Sequence, residues 1–265
     1  MVSRIVPLLL FFSFINAQIA LPTFQAVHKP HTAVAVAESD SQTFSYTGSE
    51  QTFTVPSGVS TITITAYGAA GGESAAELAG GQGAIIRSSF SVTSGDNLIV
   101  FSGGKGGSTS YGTSGCHIGG CMQGEGGDGS YVSQNGDPLI IAGGGGGSVH
   151  WSGERPGANA SYGESGSTSV DGCGSAGTNG NNGGSLPYSH PGNGWNGDPK
   201  CVGGNTIHWN NNGGSGAGGG GYSGGGSGSS RYGGGGGGGS YTDDSGSTQQ
   251  NIGYNDGNGQ VIISW

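Results

Sequence analysis

Glycine supplies 64 of the 265 residues, and it is massed rather than scattered. Residues 1–67 hold only Gly48 and Gly58; the other 62 lie in residues 68–265, among them the unbroken runs Gly143–Gly147, Gly218–Gly221 and Gly233–Gly239. The share is roughly three to four times the ordinary value of about 7%. A helical bundle is thereby excluded, because each interior glycine costs a helix about 1 kcal/mol relative to alanine. A doubly wound α/β enzyme is excluded too, since no stretch of about 12 residues beyond the first turns of the chain repeats apolar positions at helical period. Collagen fails on its strict third-position glycine and on the 9 prolines. An ordinary disordered linker fails on the 10 Tyr, 8 Phe and 4 Trp.

What remains is β structure. Thr43-Phe44-Ser45-Tyr46-Thr47 alternates, as does Gln51-Thr52-Phe53-Thr54-Val55, and Pro56-Ser57-Gly58 reads as a turn. Thr61-Ile62-Thr63-Ile64-Thr65-Ala66-Tyr67 alternates strictly, the signature of a half-buried strand of β-branched residues. Further strands are expected over Ile85–Val92 and Leu98–Phe101, then over Tyr131-Val132 and Pro138–Ala142, joined by a turn at Asn135-Gly136-Asp137. The last strand is Gln260–Trp265. Strands at both ends with glycine-rich stretches between them predict one all-β sandwich that contains both the first and the last strand.

The glycine runs admit two readings. Bare glycine is usually a flexible linker. Here, however, Gly143–Gly147 continues a strand directly, and Tyr222 and Ser240-Tyr241 follow the two later runs. The second reading is a polyglycine helix with three residues per turn and about 3.1 Å rise, so that seven glycines give a rod of about 22 Å. Such a rod has no internal hydrogen bonds, and its N–H and C=O groups must bond neighbouring segments. Packed rods are the expectation. Gly236, at the centre of the longest run, should then tolerate no Cβ, whereas Gly180 in the polar Asn179–Asn182 stretch should tolerate one.

Met1–Ala17 has one arginine, an apolar run and a small terminal residue, and is read as a signal peptide with cleavage before Gln18. Residues 18–42 are expected to be a flexible N-terminal arm or propeptide, and residues 43–265 the glycine-rich domain. No later segment is long and apolar enough to span a membrane. The formal charge of −9 becomes −10 once Arg4 leaves with the signal, which argues against nucleic acid as a partner. Four cysteines in a secreted chain, Cys116, Cys121, Cys173 and Cys201, suggest two disulfides whose connectivity the sequence leaves open. His117 between the first two raises zinc as a rival, but a second clustered pair is missing. Asn159-Ala160-Ser161 is an N-glycosylation sequon.

No catalytic, cofactor or metal residue is assigned. The Gly-x-Ser-x-Gly matches arise from composition, and Gly103-Gly104-Lys105-Gly106-Gly107 lacks the spacing of a phosphate loop. The remaining histidines are His28, His31, His150, His190 and His208. Val149-His150-Trp151 and Ile207-His208-Trp209 repeat a His-Trp pair. Together with Trp195 these residues could line a sugar-binding surface. The competing role, which weighs more, is to cap glycine rods that carry no side chains of their own.

Gly129-Ser130-Tyr131-Val132 followed by Pro138-Leu139-Ile140-Ile141-Ala142 and Gly143–Gly147 resembles the extracellular glycine-rich domain of anaplastic lymphoma kinase and leukocyte tyrosine kinase. Gly192-Asn193-Gly194-Trp195-Asn196, the block 218–239 broken at Tyr222-Ser223, and Gly257-Asn258-Gly259-Gln260-Val261-Ile262-Ile263 follow in the same order. Secreted glycine-rich proteins share the opening Phe53-Thr54-Val55-Pro56-Ser57-Gly58-Val59 as well. The resemblance implies a β-sandwich like that of tumour necrosis factor, carrying a bundle of polyglycine II helices on its loops. The sequence shows no cysteine-rich growth-factor-like module, membrane span or kinase, so the resemblance implies a fold rather than receptor signalling. The expected function is that of a secreted, non-enzymatic structural protein of an extracellular matrix, coat or wall. Its partners would be matrix components or further copies of itself. The alternative is an extracellular binding module: an adhesin, a glycan binder or a protein that captures a soluble ligand.

Overall fold

The alternating segments pair as their patterns require. The computed structural model describes residues 40–74, 78–111, 121–150, 154–187, 189–206, 215–229, 233–243 and 249–265. The expected signal peptide, nearly all of the expected arm, and His28, His31, Cys116 and His117 lie outside them. One five-stranded antiparallel sheet contains, in spatial order, β1 (Ser41–Ser45), β14 (Gln260–Ser264), β3 (Thr61–Tyr67), β4 (Gly83–Ser91) and β13 (Gln250–Asn255). The second contains β12 (Tyr241–Thr242), β9 (Asp137–Ala142), β8 (Ser130–Gln134), β5 (Asn97–Phe101) and β2 (Gln51–Thr54). A smaller four-stranded sheet joins β11 (Glu154–Arg155), β10 (Val149–His150), β7 (Cys121–Gly124) and β6 (Ser108–Tyr111). Among the described residues there is no helix.

The first and last strands are paired, Phe44 opposite Val261. β1 begins at Ser41, two residues before the expected start, because Asp40 and Trp265 exchange both backbone hydrogen bonds at 3.0 Å. Between the two large sheets lies the core: Phe44, Ile62, Ile64, Ala66, Ile86, Phe90, Val261 and Ile263 from one, and Phe53, Leu98, Val100, Val132, Ile140 and Ala142 from the other. Each buried large apolar side chain contributes about 1.5–3 kcal/mol. The Phe53 ring meets Phe44 edge-on and Trp265 at 5.2 Å, which closes one end of the core. The chain is therefore an all-β sandwich. The β8–β9 hairpin turns on Asn135 and Gly136, both at positive φ (53° and 94°), the geometry that an Asn-Gly pair favours.

Gly143–Gly147 leaves the end of β9 and Gly233–Gly239 runs through Ser240 into β12, whereas Gly218–Gly221 adjoins no strand among the described residues. They carry no strand or helix assignment, yet their backbone groups are bonded residue by residue to other segments. Gly144 and Gly147 donate to Gly220 and Ala217, and accept from Gly238 and Gly235. Gly236 and Gly239 donate to Gly226 and Ser223, and Gly218 and Gly221 to His190 and Asn193. In every case residues three apart face the same neighbouring segment. The separation leaves no room for side chains: a Cβ on Gly236 would lie 2.1 Å from the Ser167 carbonyl oxygen, and one on Gly146 would lie 2.1 Å from that of Gly235.

Gly180 corrects the sequence expectation. It sits at φ +77°, and a Cβ there would come within 2.8 Å of Asn196 Nδ2, so the polar surroundings do not make it tolerant. Gly163 is a tolerant position, since its Cβ would touch only Ser161 Oγ at 3.6 Å. Gly236→Ala is expected to lower stability by at least about 2 kcal/mol, because displacing the segment leaves buried N–H and C=O groups unpaired at about 1–3 kcal/mol each. Gly163→Ala is expected to melt with the wild type. Thermal midpoints of the two variants measured side by side decide the matter, and equal melting of Gly236→Ala and wild type would contradict a packed lattice.

Candidate functional site

Because β5, β8 and β9 alternate, they send a second set of side chains away from the sandwich core. Tyr131, Ile141 and the buried Cys201 form a separate cluster on this outer face, flanked by Ile99, Phe101, Trp195, Tyr222 and Tyr241. Tyr131 stacks on Phe101 with centroids 5.2 Å apart and meets Trp195 edge-on at 5.2 Å. Tyr222 and Tyr241 stack at 4.5 Å. The Trp195 N–H donates to the Tyr222 carbonyl at 2.8 Å, and Lys200 Nζ lies 4.1 Å from the Trp195 ring centre. This seam is where the glycine lattice docks on the second sheet. The Tyr131 hydroxyl donates to Glu50 Oε1 at 2.7 Å, and burial together with that carboxylate pushes its pKa strongly upward.

The residues singled out from the sequence separate here. Trp195 is half-buried in the aromatic seam, where Tyr131 meets it edge-on and Lys200 Nζ lies over its ring. His150 lies on β10 of the small sheet, with a buried Nδ1 that has no hydrogen-bond partner among the described residues. Trp151, His208 and Trp209 fall outside the described residues. Asn159 is exposed, and its Oδ1 accepts the Gln82 N–H at 2.8 Å. Beyond Trp195, Asn182, His190, Pro191, Asn193, Val202 and Asn205 border an open cleft of about 440 Å³. Among the described residues no group of three or more His, Cys, Asp or Glu could hold a metal ion.

The cysteine expectation is not met at the two positions whose side chains are described. Cys173 is exposed, Cys201 is buried, and both are free. Cys201 sits at φ +57°, gives its carbonyl to the Gly129 N–H, and packs under Tyr131 as a small apolar residue. Burial pushes its thiol pKa up. Spacing in the chain carried no information about this burial. Of the other two, Cys116 lies outside the described residues, and Cys121 is placed in β7 by its backbone.

Two aspartates the sequence reading passed over bind segments together. Asp128 accepts from the N–H groups of Gly203 (2.8 Å) and Gly104 (3.0 Å), while burial raises its pKa. Asp171 accepts from the hydroxyls of Ser169 and Ser229 and from the N–H groups of Ser229 (2.8 Å) and Cys173 (3.2 Å). Burial pushes the Asp171 carboxyl up, but these hydrogen bonds outweigh it and hold the pKa below the ordinary carboxylate value.

The family described as glycine-rich domain matches residues 45–265. None of the curated proteins matches the chain. Among the described residues no helix is long and apolar enough to cross a membrane.

Native alkylation without reductant is expected to label Cys173 and spare Cys201 until the protein unfolds; mass mapping of labelled peptides reads this, and labelling of Cys201 in the folded state would contradict the seam. A lowered folded pKa at Asp171 gives stability that is present above the unfolded carboxylate value and lost as pH falls through the folded one. The Asp171→Asn variant is therefore expected to be less stable than wild type at pH 7, with the difference shrinking below about pH 4. Denaturant midpoints across that range test it, and a pH-independent difference would contradict the assignment.

Proposed function

The chain belongs to the glycine-rich domain family, and from that premise we propose that it is a secreted, non-enzymatic structural protein of an extracellular matrix, coat or wall. The observation that carries this reading is the lattice. Its hydrogen bonds repeat every three residues, and its carbonyls stand about 2 Å from where a Cβ would be. That period is the period of a polyglycine II helix. We read the runs as a bundle of such helices carried on a sandwich of the tumour-necrosis-factor type. A body of this kind is stiff because each segment is held by backbone bonds on several sides.

The extracellular location rests on Met1–Ala17 and on the exposed Asn159 that heads the sequon. A second reading, an extracellular binding module, draws support from the open cleft beside Asn193 and Asn205. Expression of the full chain in secreting eukaryotic cells, followed by fractionation, separates the readings. The expected result is loss of residues 1–17, an N-linked glycan at Asn159, and accumulation in the insoluble extracellular fraction. Retention inside the cell with Met1 in place would overturn secretion. Recovery only as soluble extracellular protein would overturn the structural role and favour the binding module.

A further inference from the structure

The pairing of the first, last and third strands sets a row of side chains on the outer face of their sheet. Ser45 lies opposite Gln260, and Gln260 opposite Tyr67. Their chain neighbours Phe44, Val261 and Ala66 are buried in the core, so this row faces outward. Tyr46 follows β1, and Asn255 and Asn258 precede β14. With the row they line an open cleft of about 350 Å³.

The walls are fixed in advance. Tyr46 is 45% exposed, yet its ring rests on the backbone at Gly104, where a Cβ would lie 2.9 Å from it. Asn255 Nδ2 donates to the carbonyls of Gly68 and Asn258, each at 2.8 Å. Asn258 Oδ1 accepts the Lys105 backbone N–H at 2.8 Å, and its amide nitrogen makes no hydrogen bond among the described residues. The Gln260 amide and the hydroxyls of Tyr46 and Tyr67 make no side-chain hydrogen bond among the described residues. Among the described residues no charged side chain lines the cleft, and Lys105 is already paired with Glu73 at 2.7 Å.

An anchored aromatic face beside several neutral donors and acceptors suits a ligand with both an apolar face and many hydroxyls. An ion would find no countercharge, and a purely apolar ligand would strand the amides. We propose that this cleft binds a neutral saccharide. The Tyr46 ring stacks against the C–H face of a pyranose, and Tyr67, Asn258 and Gln260 bond its hydroxyls. In the structural reading above, such a site would fasten the protein to a matrix polysaccharide; the binding itself does not depend on where the cell puts the chain.

The test uses the purified full chain and calorimetric titration with chitohexaose, cellohexaose and laminarihexaose, with a heparin-derived hexasaccharide as the charged probe. At least one neutral hexasaccharide is expected to bind. Tyr46→Ala should weaken it at least tenfold, Tyr46→Phe should keep most of the affinity, and Gln260→Ala should weaken it independently. Asn205→Ala, in the other cleft, should change nothing. No neutral binding up to about 10 mM, binding of the charged probe alone, or full affinity in both Tyr46→Ala and Gln260→Ala would overturn the proposal. Because the titration uses isolated protein, its failure is distinct from a failure of secretion or of matrix association.

Discussion

A glycine segment has nothing to bury except its own backbone, and a buried N–H or C=O must find a partner. In most proteins that demand is met inside a helix or a sheet. Here the segments meet it between one another, with carbonyl oxygens standing where a side chain would begin. The arrangement is unfavourable segment by segment, because glycine loses more backbone freedom on folding than any other residue. It holds only when many segments are in place together, each intersegment bond adding about 1 kcal/mol net. Cooperativity follows: removing one segment strands the polar groups of all its neighbours.

The sandwich supplies the fixed points from which such a lattice can start. Gly68 continues β3, Gly129 precedes β8, Gly143 continues β9, and Gly239 leads through Ser240 into β12. Strand pairing therefore sets the spacing and direction at which the first glycines leave. Gly68 donates to Ala84 of β4, and Ala84 in turn donates to Gly143, so the first lattice bonds are made at the sheet ends. Farther out, the seam ties the segments that carry Trp195 and Tyr222 to the second sheet through ring contacts with Tyr131 and Tyr241.

The sandwich was legible wherever alternation was strong. Thr61–Tyr67 buries every second residue as its Ile/Thr pattern requires, and Asn135-Gly136 takes the two positive φ values its composition favours. β13 was not legible: the two alternate apolar residues of Gln250–Asn255, Ile252 and Tyr254, are exposed, and the segment is a strand because β4 offers it an edge. β6, β7, β10 and β11 are two to four residues long, and tertiary pairing alone makes them strands. The His-Trp repeat is a pattern along the chain, and chain proximity does not decide which sheet a side chain ends on. His150 went to the small sheet, while Trp195, which lies outside that repeat, went to the aromatic seam. Gly180 shows the same limit, since a polar neighbourhood says nothing about a left-handed backbone.

Serine completes the lattice where glycine cannot. The buried polar side chains of the described residues are serines, Gln123 excepted. Serine is the smallest residue that carries both a donor and an acceptor, and these hydroxyls stand in for backbone groups that are missing from the three-residue repeat. Ser240 Oγ accepts the Gly143 N–H and donates to the Ser161 carbonyl; Ser167 Oγ accepts the Gly237 N–H. Ser215 Oγ donates to the Gly228 carbonyl and accepts from Ser189 Oγ. Where several donors converge and one hydroxyl cannot serve them, an aspartate takes over: Asp171 accepts from four groups and Asp128 from two chain segments. The polar side chains allowed into the lattice are thus chosen by the same rule that fills it with glycine, each bringing a hydrogen-bonding group in the least volume that the number of partners permits, and the apolar side chain admitted beside them, as at Ala217, is a single methyl.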